Sequence, residues 1–158
     1  MASGKLFLGA DHAGFALKRE LMARFAGEFP ILELVDLGTH STESVHYPEY
    51  AKRVADQVVA QAARGVLICG TGIGVAIAAN KVAGIRAATV WDATSARLSR
   101  QHNDANILCL GARVLGPETA FEAARVWLTT GFEGGGRHQI RIDQITRLDS
   151  RVEKGGSK

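Results

Sequence analysis

The sequence predicts an α/β fold: a Rossmann-like, three-layer α/β/α sandwich with a five-stranded parallel sheet and an added C-terminal helix. Three observations carry this. Short apolar runs alternate with segments whose apolar residues recur at helical spacing, the pattern of a parallel sheet covered on both faces. One run, Val66 to Ile68, ends in Cys69 and passes through Gly70, Gly72 and Gly74 into an Ala-rich stretch, so it reads as buried strand, glycine loop and helix start. A Gly-rich linker over 131–136 then sets off a last helical pattern.

The elements follow in order. Lys5 to Ala10 is a short apolar strand. Phe15 to Phe29 is a helix with Phe15, Leu17, Leu21, Met22 and Phe25 at helical spacing. Ile31 to Leu37 is the second strand, closed by Gly38, and Thr39 to His46 is a polar loop. Pro48 to Ala63 is a helix with Val54, Val58 and Val59 on one face. Val66 to Cys69 is the third strand, and Gly74 to Val82 its helix. Arg86 to Trp91 is a strand, Asp92 to His102 a helix, and Asn106 to Leu110 the fifth strand. Pro117 to Thr129 is a helix with Pro in its first turn, where no N–H is lost. Arg137 to Arg151, with Ile140, Ile145 and Leu148, is the last helix.

At 158 residues the chain is long enough to bury one core, so a single domain is expected over 1–152, with a loose tail over 153–158. A net charge of +3 is too small to imply nucleic acid. No apolar run approaches a membrane span, and Met1 to Lys5 lead straight into a strand, so neither a membrane nor a signal peptide is expected. Cys69 and Cys109 each end an apolar run, which suits buried or reactive thiols in a reducing, cytoplasmic setting. No His or Cys spacing suggests a metal site.

Ligands of open α/β sheets bind beyond the carboxyl ends of the strands, which selects the loops at Gly9–Gly14, Cys69–Gly72 and Trp91–Asp92. The glycine loop is neither a Walker A nor a dinucleotide fingerprint: Lys81 follows Asn80 well inside the helix, and Val75 stands where a third glycine is required. It offers an oxyanion cradle of backbone N–H groups, with the Cys69 thiol beside a helix N-terminus that favours a thiolate. A tight turn with a small buried cysteine is the plainer reading of each part alone. Asp11 suits a helix N-cap, and His12 in the first turn could donate to an anion. Arg100 to Asp104 is a polar cluster at a helix end, where His102 gains proton affinity from the dipole; it equally reads as a C-cap with Asn103 left-handed. Arg137 and Arg141 share one helical face and can grip a phosphate, or form a solvated basic face.

Taken together, Gly9-Ala-Asp-His-Ala-Gly14, Cys69-Gly-Thr-Gly-Ile-Gly74, Ala79-Asn-Lys81, Gly84-Ile-Arg86, Ser99-Arg-Gln-His-Asn-Asp104, Gly111-Ala-Arg113 and Gly135-Gly-Arg-His138 resemble, in order, the type B ribose-5-phosphate isomerases, a family that also contains galactose-6-phosphate isomerase subunits. The resemblance runs from about Lys5 to Arg147. It implies a homodimer or dimer of dimers with interface active sites, interconverting D-ribose 5-phosphate and D-ribulose 5-phosphate without metal or organic cofactor. It assigns Cys69 as the base, Thr71 as its assistant at the substrate oxygens, the N–H groups of Gly70, Gly72 and Gly74 to the enediolate, and His102 to ring opening. It assigns Asn103, Asp11 and Tyr47 to sugar oxygens, and Arg137 and Arg141, helped by His12 and Arg113, to the phosphate. Of the family's two variants, one uses Cys at the strand end and the other has Ser there with a Glu at the position of Val75; Cys69 and Val75 place this chain with the first. It departs at His46, where many relatives carry Asp. A six-carbon sugar phosphate, a non-catalytic phosphometabolite-binding module and a thiol redox protein are the alternatives, the last disfavoured because no second Cys lies near Cys69 in sequence.

Overall fold

Successive side chains of a strand point to opposite faces of its sheet, and here both faces are apolar. The computed structural model describes residues 4–153. Its strands are β1 (Gly4–Ala10), β2 (Leu32–Asp36), β3 (Arg64–Cys69), β4 (Ala87–Thr89) and β5 (Ile107–Gly111). Its helices are α1 (Phe15–Glu28), α2 (Tyr47–Ala60), α3 (Ile73–Ala79), α4 (Ala93–Asn103), α5 (Pro117–Thr129) and α6 (Gly136–Glu153). From β1, β3 and β5, Leu6, Leu8, Ala10, Val66, Ile68, Leu108 and Leu110 pack in one cluster with Leu21 and Phe25 of α1, Ala96 of α4 and Trp127 of α5. Phe7, Leu67, Cys69, Ile107 and Cys109 pack in the other with Val54 and Val58 of α2 and Val75 and Ala79 of α3. The three-layer parallel sandwich expected from the sequence is therefore present, with central strands buried on both sides.

All pairings are parallel and the strand order is β2-β1-β3-β5-β4. The chain steps from β1 to β2 on one side, then returns to lay β3 on the other. The switch point thus lies between β1 and β3, and their carboxyl ends open into the Asp11–Gly14 and Gly70–Gly74 loops.

Several elements are shorter than the sequence pattern suggests: β2 spans Leu32–Asp36, α2 stops at Ala60, α3 stops at Ala79 and β4 spans Ala87–Thr89. The Asn80 side chain accepts from the Ala87 N–H at 2.8 Å and donates to the Ala87 carbonyl at 2.9 Å. It thereby links the end of α3, which stops at Ala79, to the first residue of β4, which pairs with β5 over Ala87–Thr89. Tyr47 rather than Pro48 opens α2. Glu153, expected in the tail, still belongs to α6, and the rest of that tail lies outside the described residues. Lys18 is fully buried on α1, paired with Asp36 and donating to the Thr39 carbonyl at 2.8 Å. The helix α6 buries Ile142 and is tied near its far end by Asp149, which accepts from the Gly84 N–H at 2.9 Å; Ile140, Ile145 and Leu148 stay exposed. Among the described residues no helix is long and apolar enough to cross a membrane.

Candidate active site

Cys69 is the last residue of β3, and its side chain turns to the α2/α3 face of the sheet. The chain then reverses through Gly72, whose φ of 78° is left-handed and suited to glycine. That turn brings the Gly72 N–H back to donate to Cys69 Sγ at 3.2 Å. Thr71 Oγ1 is exposed and accepts from the Ile73 N–H at 3.2 Å, while Thr89 Oγ1 donates to the Gly72 carbonyl at 3.0 Å. The loop is thus fixed from β4 as well as from β3. Cys69 is nearly buried, at 4% exposure, with its sulfur held against the Gly72 N–H of this loop.

Four other expected residues gather here. Asp11 donates its N–H to the Ile68 carbonyl at 3.2 Å, and its Oδ1 accepts from the Gly14 N–H at 3.1 Å. Asp11 is therefore not the N-cap of α1, which is Gly14; it closes the turn that precedes the helix. His12 Nδ1 accepts from the Val45 N–H at 3.2 Å, which leaves Nε2 as the protonated nitrogen of the neutral ring. Two residues on, the Tyr47 ring lies across the glycine loop: a β-carbon at Gly74 would stand 2.7 Å from its Cζ. Arg113 donates its N–H to the Gly70 carbonyl at 2.9 Å and lays its guanidinium over Gly70. Asp11, His12, Tyr47, Cys69, Gly70, Thr71, Gly72, Gly74 and Arg113 are therefore brought together at the carboxyl edge of the sheet.

His102, Asn103, Arg137 and Arg141 are not at that edge. The helix α4 starts after β4, where Asp92 caps it by accepting from the Ser95 N–H at 2.6 Å, and runs back to the amino edge of the sheet. There Asn103 and Asp104 offer their carbonyls to Arg86 Nε at 2.9 and 3.1 Å, just ahead of β4, and Asn106 accepts from Gly65 at the start of β3. Cys69 sits at the other end of β3, opposite Gly111. Six residues of strand separate the two groups, which at ~3.3 Å per residue is about 20 Å. A single chain thus presents two candidate half-sites at opposite edges.

In the second half-site, Asp104 with φ 44° is the left-handed residue, not Asn103, which is exposed. Arg100 is buried and turned inward to Asp104 and to the Ala105 and Thr130 carbonyls, so it does not face a ligand. Arg137 and Arg141 are exposed on the first turns of α6. Between them His138 stacks on His102, with ring centroids 4.2 Å apart and planes 5° from parallel. Partial burial, then His102, Arg137 and Arg141, hold the His138 imidazole below its ordinary proton affinity, with Glu133 opposing.

Sequence reasoning missed Lys18 and gave His138 no role. Lys18 had a signal: it shares the spacing of Leu21 and Phe25 on the buried face of α1. His138 had none, since its stacking partner lies on another helix. Cys109 is also placed only by the fold. It pairs in register with Leu67, two residues below Cys69 on the neighbouring strand, too far for a disulfide without backbone movement. Burial, and secondarily Cys69, push its thiol far above the ordinary range, which counts against the redox reading. Among the described residues no cluster of His, Cys, Asp and Glu is grouped to hold a metal.

The chain matches the model of the ribose/galactose isomerase family over residues 6–145. It is 47% identical over 148 residues to ribose-5-phosphate isomerase B of Escherichia coli (strain K12), covering 93% of this chain and 97% of that protein. Its fold superposes on that of ribose-5-phosphate isomerase B from Clostridium thermocellum with a TM-score of 0.89 at 46% identity, covering 94% of this chain and 99% of that one. The type B ribose 5-phosphate isomerase of Trypanosoma cruzi gives a TM-score of 0.91 at 40% identity, with 95% and 99% covered. Matched in sequence and in fold over nearly its whole length, the chain belongs to the ribose/galactose isomerase family and is an isomerase.

Proposed function

We propose that this protein interconverts D-ribose 5-phosphate and D-ribulose 5-phosphate through an enediolate, with Cys69 as the base, in sites completed by a second copy of the chain. The observation that carries the reading is the Cys69 sulfur accepting from the Gly72 N–H of the glycine loop, in a chain of this family. In the aldose-to-ketose direction the Cys69 thiolate removes the C2 proton, and the C–H electrons form the C1–C2 double bond while the carbonyl π electrons move to the O1 oxygen. Cys69 then delivers a proton to C1 while the O2 hydroxyl proton passes to O1, so that O2 becomes the ketone and O1 a hydroxyl; exchange of the proton on Cys69 with solvent during the enediolate stage is what would place deuterium on the substrate carbon. Backbone N–H groups of Gly70 to Gly74, with Thr71, meet the charge that develops on the oxygens, where preorganised donors act most strongly. Asp11 and Tyr47 lie at the same edge and suit the sugar hydroxyls. His12 and Arg113 supply donors for the phosphate.

His102 for ring opening, Asn103 for a sugar oxygen, and Arg137 and Arg141 for the phosphate must come from elsewhere, because their own edge of the sheet lies about 20 Å from Cys69. A second chain supplies them when its amino edge meets the carboxyl edge of the first. Exposed Ile73 and Ile77 on α3, Trp91 and Leu98 by α4, and Ile140, Ile145 and Leu148 on α6 give such a contact its apolar area.

The test is direct. Purified protein is assayed against ribose 5-phosphate and a panel of hexose 6-phosphates, and Cys69→Ala is then assayed for turnover and for solvent deuterium uptake at the substrate carbon. Both activities should vanish while a phosphate-bearing inhibitor still binds. Near-wild-type turnover in the folded variant removes Cys69 as the base, and preference for a hexose phosphate overturns the substrate.

A further inference from the structure

We infer that His138 is a positioning residue for His102, an aromatic platform that holds the ring-opening imidazole in place and links it to the phosphate-gripping helix. The inference rests on the proposed function for the role of His102. Its geometric ground is independent of that: two imidazoles from different helices lie 4.2 Å apart and 5° from parallel. His102 stands in the last turn of α4 and is only half-buried, so the packing of its own helix covers part of the ring. The flat face of His138 covers a further face and so limits the ring's rotation. His138 also lies between Arg137 and Arg141, on a helix otherwise held to the domain by Ile142 and the Asp149–Gly84 hydrogen bond. A phosphate that draws the two arginines together therefore acts on the same turn that supports His102.

The charges around the stack keep the platform neutral. His102, Arg137 and Arg141 all oppose a proton on His138, as does its burial; Glu133 alone favours one, and it is engaged by Gln101 Nε2 at 2.8 Å. On α4 the Arg100 guanidinium is committed to Asp104 and to backbone carbonyls. A neutral ring face is what a proton-carrying His102 needs beside it, since two facing imidazolium rings repel while a cation over a π face is attracted. Ring opening moves a proton through His102, so the platform serves the step at which that charge appears.

The experiment compares His138→Phe, which keeps a flat face, with His138→Ala, which removes it. In the ligand-free protein, imidazole NMR should find His138 neutral at neutral pH. The ring-current displacement of the His102 signals should persist in His138→Phe and disappear in His138→Ala. With ribose 5-phosphate, His138→Ala should lose roughly tenfold in kcat, with KM changed by no more than about twofold. His138→Phe should recover most of the loss. Deuterium exchange from open-chain ribulose 5-phosphate should be nearly unchanged in both. A raised KM with unchanged kcat would make His138 a phosphate contact, and equal damage in both variants would mean that its nitrogens matter rather than its face. Either outcome overturns the inference, as does wild-type behaviour of His138→Ala or a protonated His138. If the wild-type protein does not isomerise ribose 5-phosphate, the proposed function fails instead, and the NMR arm still decides whether the stack exists.

Discussion

A single methyl group at position 74 tests how the proposed sugar pocket is shaped. A β-carbon there would lie 2.7 Å from Tyr47 Cζ and 3.0 Å from its hydroxyl oxygen, well inside contact distance. Gly74 is the second residue of α3 and has no positive φ, so alanine suits the helix and the strain falls on the Tyr47 ring. Gly74→Ala is therefore expected to leave the melting temperature within a few degrees of wild type while raising KM for the sugar phosphate by roughly tenfold. Steady-state kinetics beside a thermal melt decide it; an unchanged KM would mean that Tyr47 does not border the bound sugar. The residue scale is also where the sequence spoke least evenly. Cys69, Thr71 and the glycines were legible because strand, loop and helix start are contiguous in the chain. That Tyr47 covers Gly74, or that His12 accepts from Val45, depends on segments that only the fold brings together.

Among the elements, α1 is fastened at the carboxyl edge of the sheet by one buried cation. Lys18 pairs with Asp36 at the end of β2 and donates to the Thr39 carbonyl, and Asp36 Oδ1 also accepts from the Gly38 N–H at 2.9 Å. This clamp holds the segment that leads into the loop carrying Val45, the partner of His12. Removing one member of a buried ion pair costs about 3 kcal/mol or more, and the partial exposure of Asp36 places this case at the low end. Lys18→Met should therefore lose about 3 kcal/mol in urea denaturation. Amides from Asp36 to Val45 should exchange faster than those of α5. A loss below about 0.5 kcal/mol would show that the pair is dispensable. Element boundaries were legible wherever periodicity ran unbroken, as in α5, which spans Pro117–Thr129 as the sequence indicates. They were less legible at α3 and β4, whose facing ends are joined by the Asn80 side chain on the Ala87 N–H and carbonyl, contacts of which periodicity carries no trace.

At the scale of the molecule, the strand order divides the candidate site. The sequence supplied nearly all of its residues but not their separation, because chain order does not say that α4 ends at the amino edge while β3 ends at the carboxyl edge. If α6 completes the site by packing on a partner, truncation after Gly134 should give monomers or insoluble protein, and a soluble dimer of unchanged size in sedimentation would contradict it. The sharper test is complementation. Cys69→Ala breaks the carboxyl-edge half-site and His102→Ala breaks the amino-edge half-site. Each homodimer is then inactive at both sites. In a mixed dimer with interface sites, one site combines both defects and the other combines both intact halves. Random exchange of subunits after mild unfolding should thus restore roughly one quarter of wild-type sites, from simple pairing statistics in a two-fold dimer. If each chain instead folded its own complete site, every site in every dimer would carry a defect, and no activity would return on mixing. Turnover of ribose 5-phosphate before and after co-refolding reads the difference. Mixing without unfolding serves as the control, since intact dimers that do not exchange should stay inactive.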